Sequence, residues 1–223
     1  MNESQHTRLA LVEAARTLFA RHGYDGTSIK AITTRARANL GAVTYHFSTK
    51  ERLYHTVLRS LGDPFLARLK AAAGEPHLPL DRIEAFVRAF FGHLSDNCDM
   101  PSLMLHEISL SRPVPPPLQE IMGQVFKTVT LLVRAGQRNG SIVSGDPKLL
   151  AVSVLALPAY VMWMRIPLRK VAGLDARDHA IRDRILDHIV LSIRRSLESG
   201  IRQGATITSR PNRPRRGAGR TKR

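Results

Sequence analysis

Hydroxyl, amide, imidazole and ammonium groups crowd into one stretch, Thr27 to Leu53, TSIKAITTRARANLGAVTYHFSTKERL. Their order suits contact with a polyanion rather than catalysis. Thr27 or Ser28 can cap a following helix through its hydroxyl, leaving other first-turn N–H groups free to face a phosphate. Ser48 or Thr49 can cap the next helix, which puts Lys50 in its first turn. A cation there opposes the helix dipole, an objection that a phosphate would remove. Gly41, at the start of a short helix, wastes helix propensity unless another backbone must come close. Leu40 has only apolar contact to offer, to the core or to a thymine methyl, and Asn39 can hydrogen-bond either a base or a phosphate.

Other chemistry finds little support. The nine histidines include no HExxH or paired metal-ligand spacing, so no metal is expected, and a lone His93, His106 or His188 reads as a core or pocket polar group. There is no glycine-rich phosphate loop and no G-x-S-x-G, so neither a cofactor nor enzymatic activity is expected. The single Cys98 lies between Asp96 and Asp99, a poor setting for a thiolate, and one cysteine allows no intramolecular bridge. That favours a reducing, cytoplasmic setting.

The elements that must position these groups follow from periodicity. Ile29, Ile32 and Ala36, then Leu40, Val43 and Phe47, recur at three- and four-residue spacing, the pattern of two short helices joined by a tight turn. A pair this small cannot bury a core alone. Arg8 to His22 supplies a covering helix, with Leu9, Val12, Ala15 and Phe19 on one stripe and Gly23 as its stop, while Met1 to Thr7 reads as an arm.

The net charge of +16 is unevenly spread. Eight of the 34 Lys/Arg and none of the 18 Asp/Glu fall in residues 201–223, so half the excess belongs to a tail. Residues 1–60 hold nine Lys/Arg against four Asp/Glu, most of what remains. Coinciding with a groove-sized helix pair, this surplus favours DNA over a membrane surface as the partner. The longest apolar stretch, Leu149 to Trp163, is shorter than the roughly 20 residues a span requires.

Beyond residue 53 the chain reads as longer helices with large apolar faces. Arg52 to Ala73 is a connector interrupted at Asp63-Pro64. Helices follow over 79–97, 102–110 and 118–138; a nearly all-apolar one opens at Asp146-Pro147 and is ended by Pro167. The last, Ala176 to Ser199, carries two stripes: Ile181, Ile185 and Ile189, then Leu186, Val190, Ile193 and Leu197. So wide an apolar arc must touch both its own core and something else, for which an identical helix of a second subunit is the simplest choice. The fold class is therefore all-α: an N-terminal three-helix domain over 1–53 suited to binding DNA, a larger helical domain over 54–200 whose last helix offers a dimerisation face, and a basic tail over 201–223 that composition predicts to be disordered.

Two segments, ALVEAARTLFARHGYDGTSIKAI and NLGAVTYHFSTKERL, are similar to the DNA-binding domain of the tetracycline-repressor (TetR/AcrR) family of bacterial transcriptional regulators. The resemblance covers about a fifth of the chain and implies a homodimeric repressor that binds palindromic operator DNA and is released by a small effector. It implies that Thr27, Ser28, Tyr45, His46 and Lys50 hold phosphates and that Asn39, Leu40, Gly41 and Thr44 lie nearest base edges. Phe86, Phe90, Met104, Phe126 and Trp163 are either core or the wall of a cavity for a mostly apolar effector. Arg37 departs from the family pattern, standing where glycine is common. A different class also fits the composition: a helical ligand-binding or enzymatic protein whose basic ends bind nucleic acid nonspecifically.

Overall fold

The computed structural model describes residues 3–74, 78–108 and 113–199. These residues form an all-α architecture of ten helices: α1 (Glu3–His22), α2 (Ile29–Arg35), α3 (Ala42–Phe47), α4 (Lys50–Gly74), α5 (Pro79–Asp96), α6 (Asp99–Ile108), α7 (Pro116–Arg138), α8 (Pro147–Trp163), α9 (Arg165–Ala172) and α10 (His179–Leu197). One isolated antiparallel bridge joins Ile142 to Glu198. The basic tail lies outside the described residues.

Two apolar clusters organise these helices, and α4 belongs to both. Its first half, Leu53 to Leu61, packs with Leu11, Phe19, Ile32, Val43 and Phe47 of α1 to α3, joined by Leu103 and Leu118. Its second half, Phe65 to Ala73, packs with α5, α7, α8 and α10 around Phe86, Phe91, Val129 and Ile189. Pro64 stands at the handover without ending the helix. Nearby, a Cβ on Gly62 would lie 2.1 Å from Ile121 Cδ1, so glycine is what lets α7 cross α4 this closely.

Several boundaries differ from those expected. Helix α1 starts at Glu3 rather than Arg8: nothing between Glu3 and His22 breaks a helix, and Glu3 sits favourably at the positive end of the dipole. Its buried stripe is Leu11, Ala14, Ala15 and Phe19. The apolar run Leu9 to Val12 fits two registers, and packing selects the one that leaves Leu9 exposed. Pro167 does not end α8. The chain bends by 68° after Trp163 into α9, whose first turn accepts Pro167 because no intrahelical N–H is needed there. Asp146 and Asp178 cap α8 and α10, accepting from Lys148 N and Ile181 N. Among the described residues no single helix is long and apolar enough to cross a membrane.

Candidate nucleic-acid interface

Helix α2 begins where the sequence suggested, with Ser28 rather than Thr27 as its cap. Ser28 Oγ accepts from Ala31 N at 3.1 Å, and the residue is exposed, so its hydroxyl proton remains available to a phosphate. Thr27 is only 2% exposed, and its hydroxyl donates to the carbonyls of Gly23 at 2.8 Å and Leu18 at 3.2 Å. The Thr27 hydroxyl is thus turned toward the protein. It ties the end of α1 to the start of α2.

The turn after α2 holds Arg37 at φ 53°. Arg37 N donates to Thr34 O and Ala38 N to Thr33 O, the paired bonds of a Schellman stop, in which the residue after the cap is left-handed. Arginine occupies the position that favours glycine, at a cost of roughly 1–2 kcal/mol for the conformation itself.

Helix α3 then presents two faces. Ala42, Val43 and Phe47 face inward, while Asn39, Leu40, Gly41, Thr44 and Tyr45 are exposed. Leu40 is 64% exposed and Tyr45 80%, so neither is core. Gly41 has φ −75°, and a Cβ there would meet only Asn39 Oδ1, at 3.7 Å. Nothing in the fold demands glycine, which leaves close approach by an outside partner as its rationale. His46 is half-buried, edge-on to Tyr45 with ring centroids 4.9 Å apart.

Lys50 finds a partner inside the protein. Its ammonium donates to Thr27 O at 2.9 Å and lies 4.2 Å from the Tyr24 ring centre. These contacts account for a cation in the first turn of α4, where Thr49 rather than Ser48 supplies the cap by accepting from Arg52 N. Sequence reasoning also missed the start of α1: Glu3, Ser4 and Thr7 line an open cleft of about 310 Å³ with Asn39, Ala42, Tyr45 and His46. The absence of any helix breaker after Glu3 was the available signal.

Of the five residues expected to wall a ligand cavity, Phe86, Phe90, Met104 and Phe126 belong to or pack against the C-terminal cluster. Phe86 and Phe90 are buried in the C-terminal core, ring centroids 6.3 Å apart; Met104 packs where the two clusters meet, and Phe126 lies on the core's margin. Trp163 is half-buried and belongs to neither cluster. Beside Phe90, the buried His93 ring lies 4.9 Å from that of Phe65, and its Nε2 has no hydrogen-bond partner among the described residues. Burial, then the charge of Arg68, lowers the His93 pKa and keeps the imidazole neutral at pH 7.

Comparison with known proteins bears on this interface first. Residues 11–57 match the family described as bacterial regulatory proteins, tetR family. The chain is 26% identical over 196 residues to the HTH-type transcriptional regulator RutR of Escherichia coli K12, covering 86% of this chain and 89% of that one. Over 75 residues it is 40% identical to the HTH-type transcriptional repressor Rv3405c of Mycobacterium tuberculosis, covering 34% and 37%. Its fold is similar to that of the transcriptional regulator FadR from Bacillus subtilis, solved in complex with stearoyl-CoA, at TM-score 0.67 and 16% identity over 82% of this chain and 97% of that one.

Proposed function

Because the chain is a DNA-binding transcriptional regulator of the tetR family, we propose that it acts as a homodimeric repressor that a small effector releases from a palindromic operator. The observation that carries the DNA half of this reading is the exposed row Asn39, Leu40, Gly41, Thr44 and Tyr45 on and beside α3, with the Ser28 hydroxyl nearby. In this reading Asn39, Leu40, Gly41 and Thr44 meet base edges. Ser28, Tyr45, His46 and Lys50 meet phosphates.

Two such helices must reach half-sites about 34–36 Å apart, which sets the geometry of the dimer. Support for a second copy comes from α8, where Leu149, Val152 and Tyr160 form one exposed apolar stripe, and from Leu191 on α10. Release needs only an effector that binds one spacing of the recognition helices better than the other. A mostly apolar molecule parting Phe86 and Phe90 would find His93 Nε2 as its hydrogen-bond partner.

Nuclease footprinting on the DNA flanking its own gene tests the reading. The expected result is protection of two symmetric half-sites about one helical turn apart. Affinity indifferent to sequence would sink it and favour a ligand-binding protein with nonspecific nucleic-acid affinity.

A further inference from the structure

Where α8 bends into α9, the turn over residues 173–178 comes opposite the end of α5 and leaves an open cleft of about 290 Å³. That is the low end of the range for small-molecule sites. Met162 and Ile166 give it apolar wall, and three guanidiniums, those of Arg165, Arg169 and Arg177, share it with one carboxylate, Asp175. Two of the cations are already engaged. Arg165 Nη2 donates to Ser102 Oγ at 2.9 Å and to the Cys98 carbonyl at 3.4 Å, which fixes the wall against the start of α6. Arg177 grips Asp175 in a two-pronged pair, Nη2 to Oδ2 at 2.7 Å and Nε to Oδ1 at 3.0 Å. Those bonds hold the Asp175 carboxyl down at about 2, so it is ionised at neutral pH; its hydrogen bonds go to Arg177, and Arg169 acts on it only weakly, through charge.

Arg169 makes no hydrogen bond or ion pair among the described residues. It is half-buried in the cleft, beside apolar side chains, with a planar fork of donors that matches a carboxylate or phosphate. An anion would supply the missing partner, and the neighbouring Met162 and Ile166 would exclude water from its other end. We propose that this cleft binds a small organic anion, a carboxylate or phosphate carried on a compact apolar group, with Arg169 as its main partner. The site is distinct from the apolar core around His93, and binding to it does not depend on the chain's action at DNA.

Trp163, the only tryptophan of the chain, is the chain neighbour of Met162 and gives a direct readout. The full-length protein, free of DNA, is titrated with benzoate, phenyl phosphate and the neutral benzyl alcohol while its fluorescence is followed. The expected result is saturation by at least one anion, weakened by added salt, with no saturation by benzyl alcohol. Tighter binding of phenyl phosphate identifies a phosphate ligand and tighter binding of benzoate a carboxylate. Arg169→Gln should weaken the preferred anion about ten-fold or more, the scale of one charge-assisted contact, while Arg169→Lys, which keeps the charge but not the fork, should restore only part of the affinity. Saturation by benzyl alcohol equal to that of the anions, or an unchanged anion affinity in Arg169→Gln, would overturn the proposal.

Discussion

Arg37 and Asn39 are two residues apart and illustrate different kinds of constraint. Arg37 is held left-handed by the bonds of its neighbours, so Arg37→Gly removes a cost of about 1–2 kcal/mol and adds back roughly 0.5–1 of backbone entropy in the unfolded chain. The net expectation is a gain of roughly 0.5–1 kcal/mol, read as a rise in Tm of about 1–4 °C; a lower Tm would show that the arginine makes a compensating contact. Asn39 and Tyr45 are exposed, so their substitution should cost little stability and act on DNA alone. Asn39→Ala should flatten preference at one position per half-site, whereas Tyr45→Phe, losing a phosphate contact, should weaken specific and random DNA alike. Binding measured on a set of operator variants separates the two, and equal loss on every sequence for both would remove Asn39 as a reader. The departure at Arg37 was legible from the sequence because glycine is the usual occupant. The burial of Thr27 was not, because two adjacent hydroxyls offer equivalent caps and only the packing of α1 against α2 decides between them.

At the scale of elements, local signals located helix starts well at Ser28, Thr49 and Asp146, where a capping side chain was read from the sequence, but α10 begins at His179 behind the cap Asp178, three residues after the expected Ala176. They failed where packing or geometry decides: the register of α1, and the bend that carries the chain through Pro167. The same limit affects the seam of the proposed dimer. Of the two stripes of α10, the one with Ile185 and Ile189 serves its own chain's core, where Ile189 is buried and Ile185 packs, so charges placed there would unfold the subunit rather than separate two of them. Exposed apolar side chains that could meet another copy include Leu149, Val152 and Tyr160 of α8 and Leu191 of α10. Val152→Glu with Leu191→Glu should therefore yield a folded monomer with an unchanged far-ultraviolet spectrum and much weaker binding to a two-half-site operator. Sedimentation analysis checks this, and a dimer that persists with full operator affinity would move the seam elsewhere.

On the scale of the whole molecule, the two apolar clusters are joined by α4 and fastened again where α6 lies on α1. Arg16 Nε donates to Asp99 Oδ2 at 2.8 Å across that contact, and Tyr54 Oη, from α4, donates to Glu107 Oε1 of α6 at 2.7 Å. The second bond is the deeper, since Tyr54 is 2% exposed and Glu107 1%. Tyr54 also closes an aromatic set with Phe19 and Tyr24, ring centroids 4.8 and 5.0 Å away, so its ring holds the N-terminal cluster while its hydroxyl holds α6. Tyr54→Phe keeps the ring and deletes only the bond between clusters. Leaving a buried carboxyl short of a donor costs about 1–3 kcal/mol, a loss of several degrees in Tm for a chain of this size. The loss should also be directional. Because the severed bond fastens the N-terminal helices to the rest, hydrogen exchange should quicken in α1 and α6 more than in α5 and α10, whose packing does not involve Tyr54. An unchanged Tm, or protection falling equally in all helices, would mean that the bond contributes nothing specific to the joint.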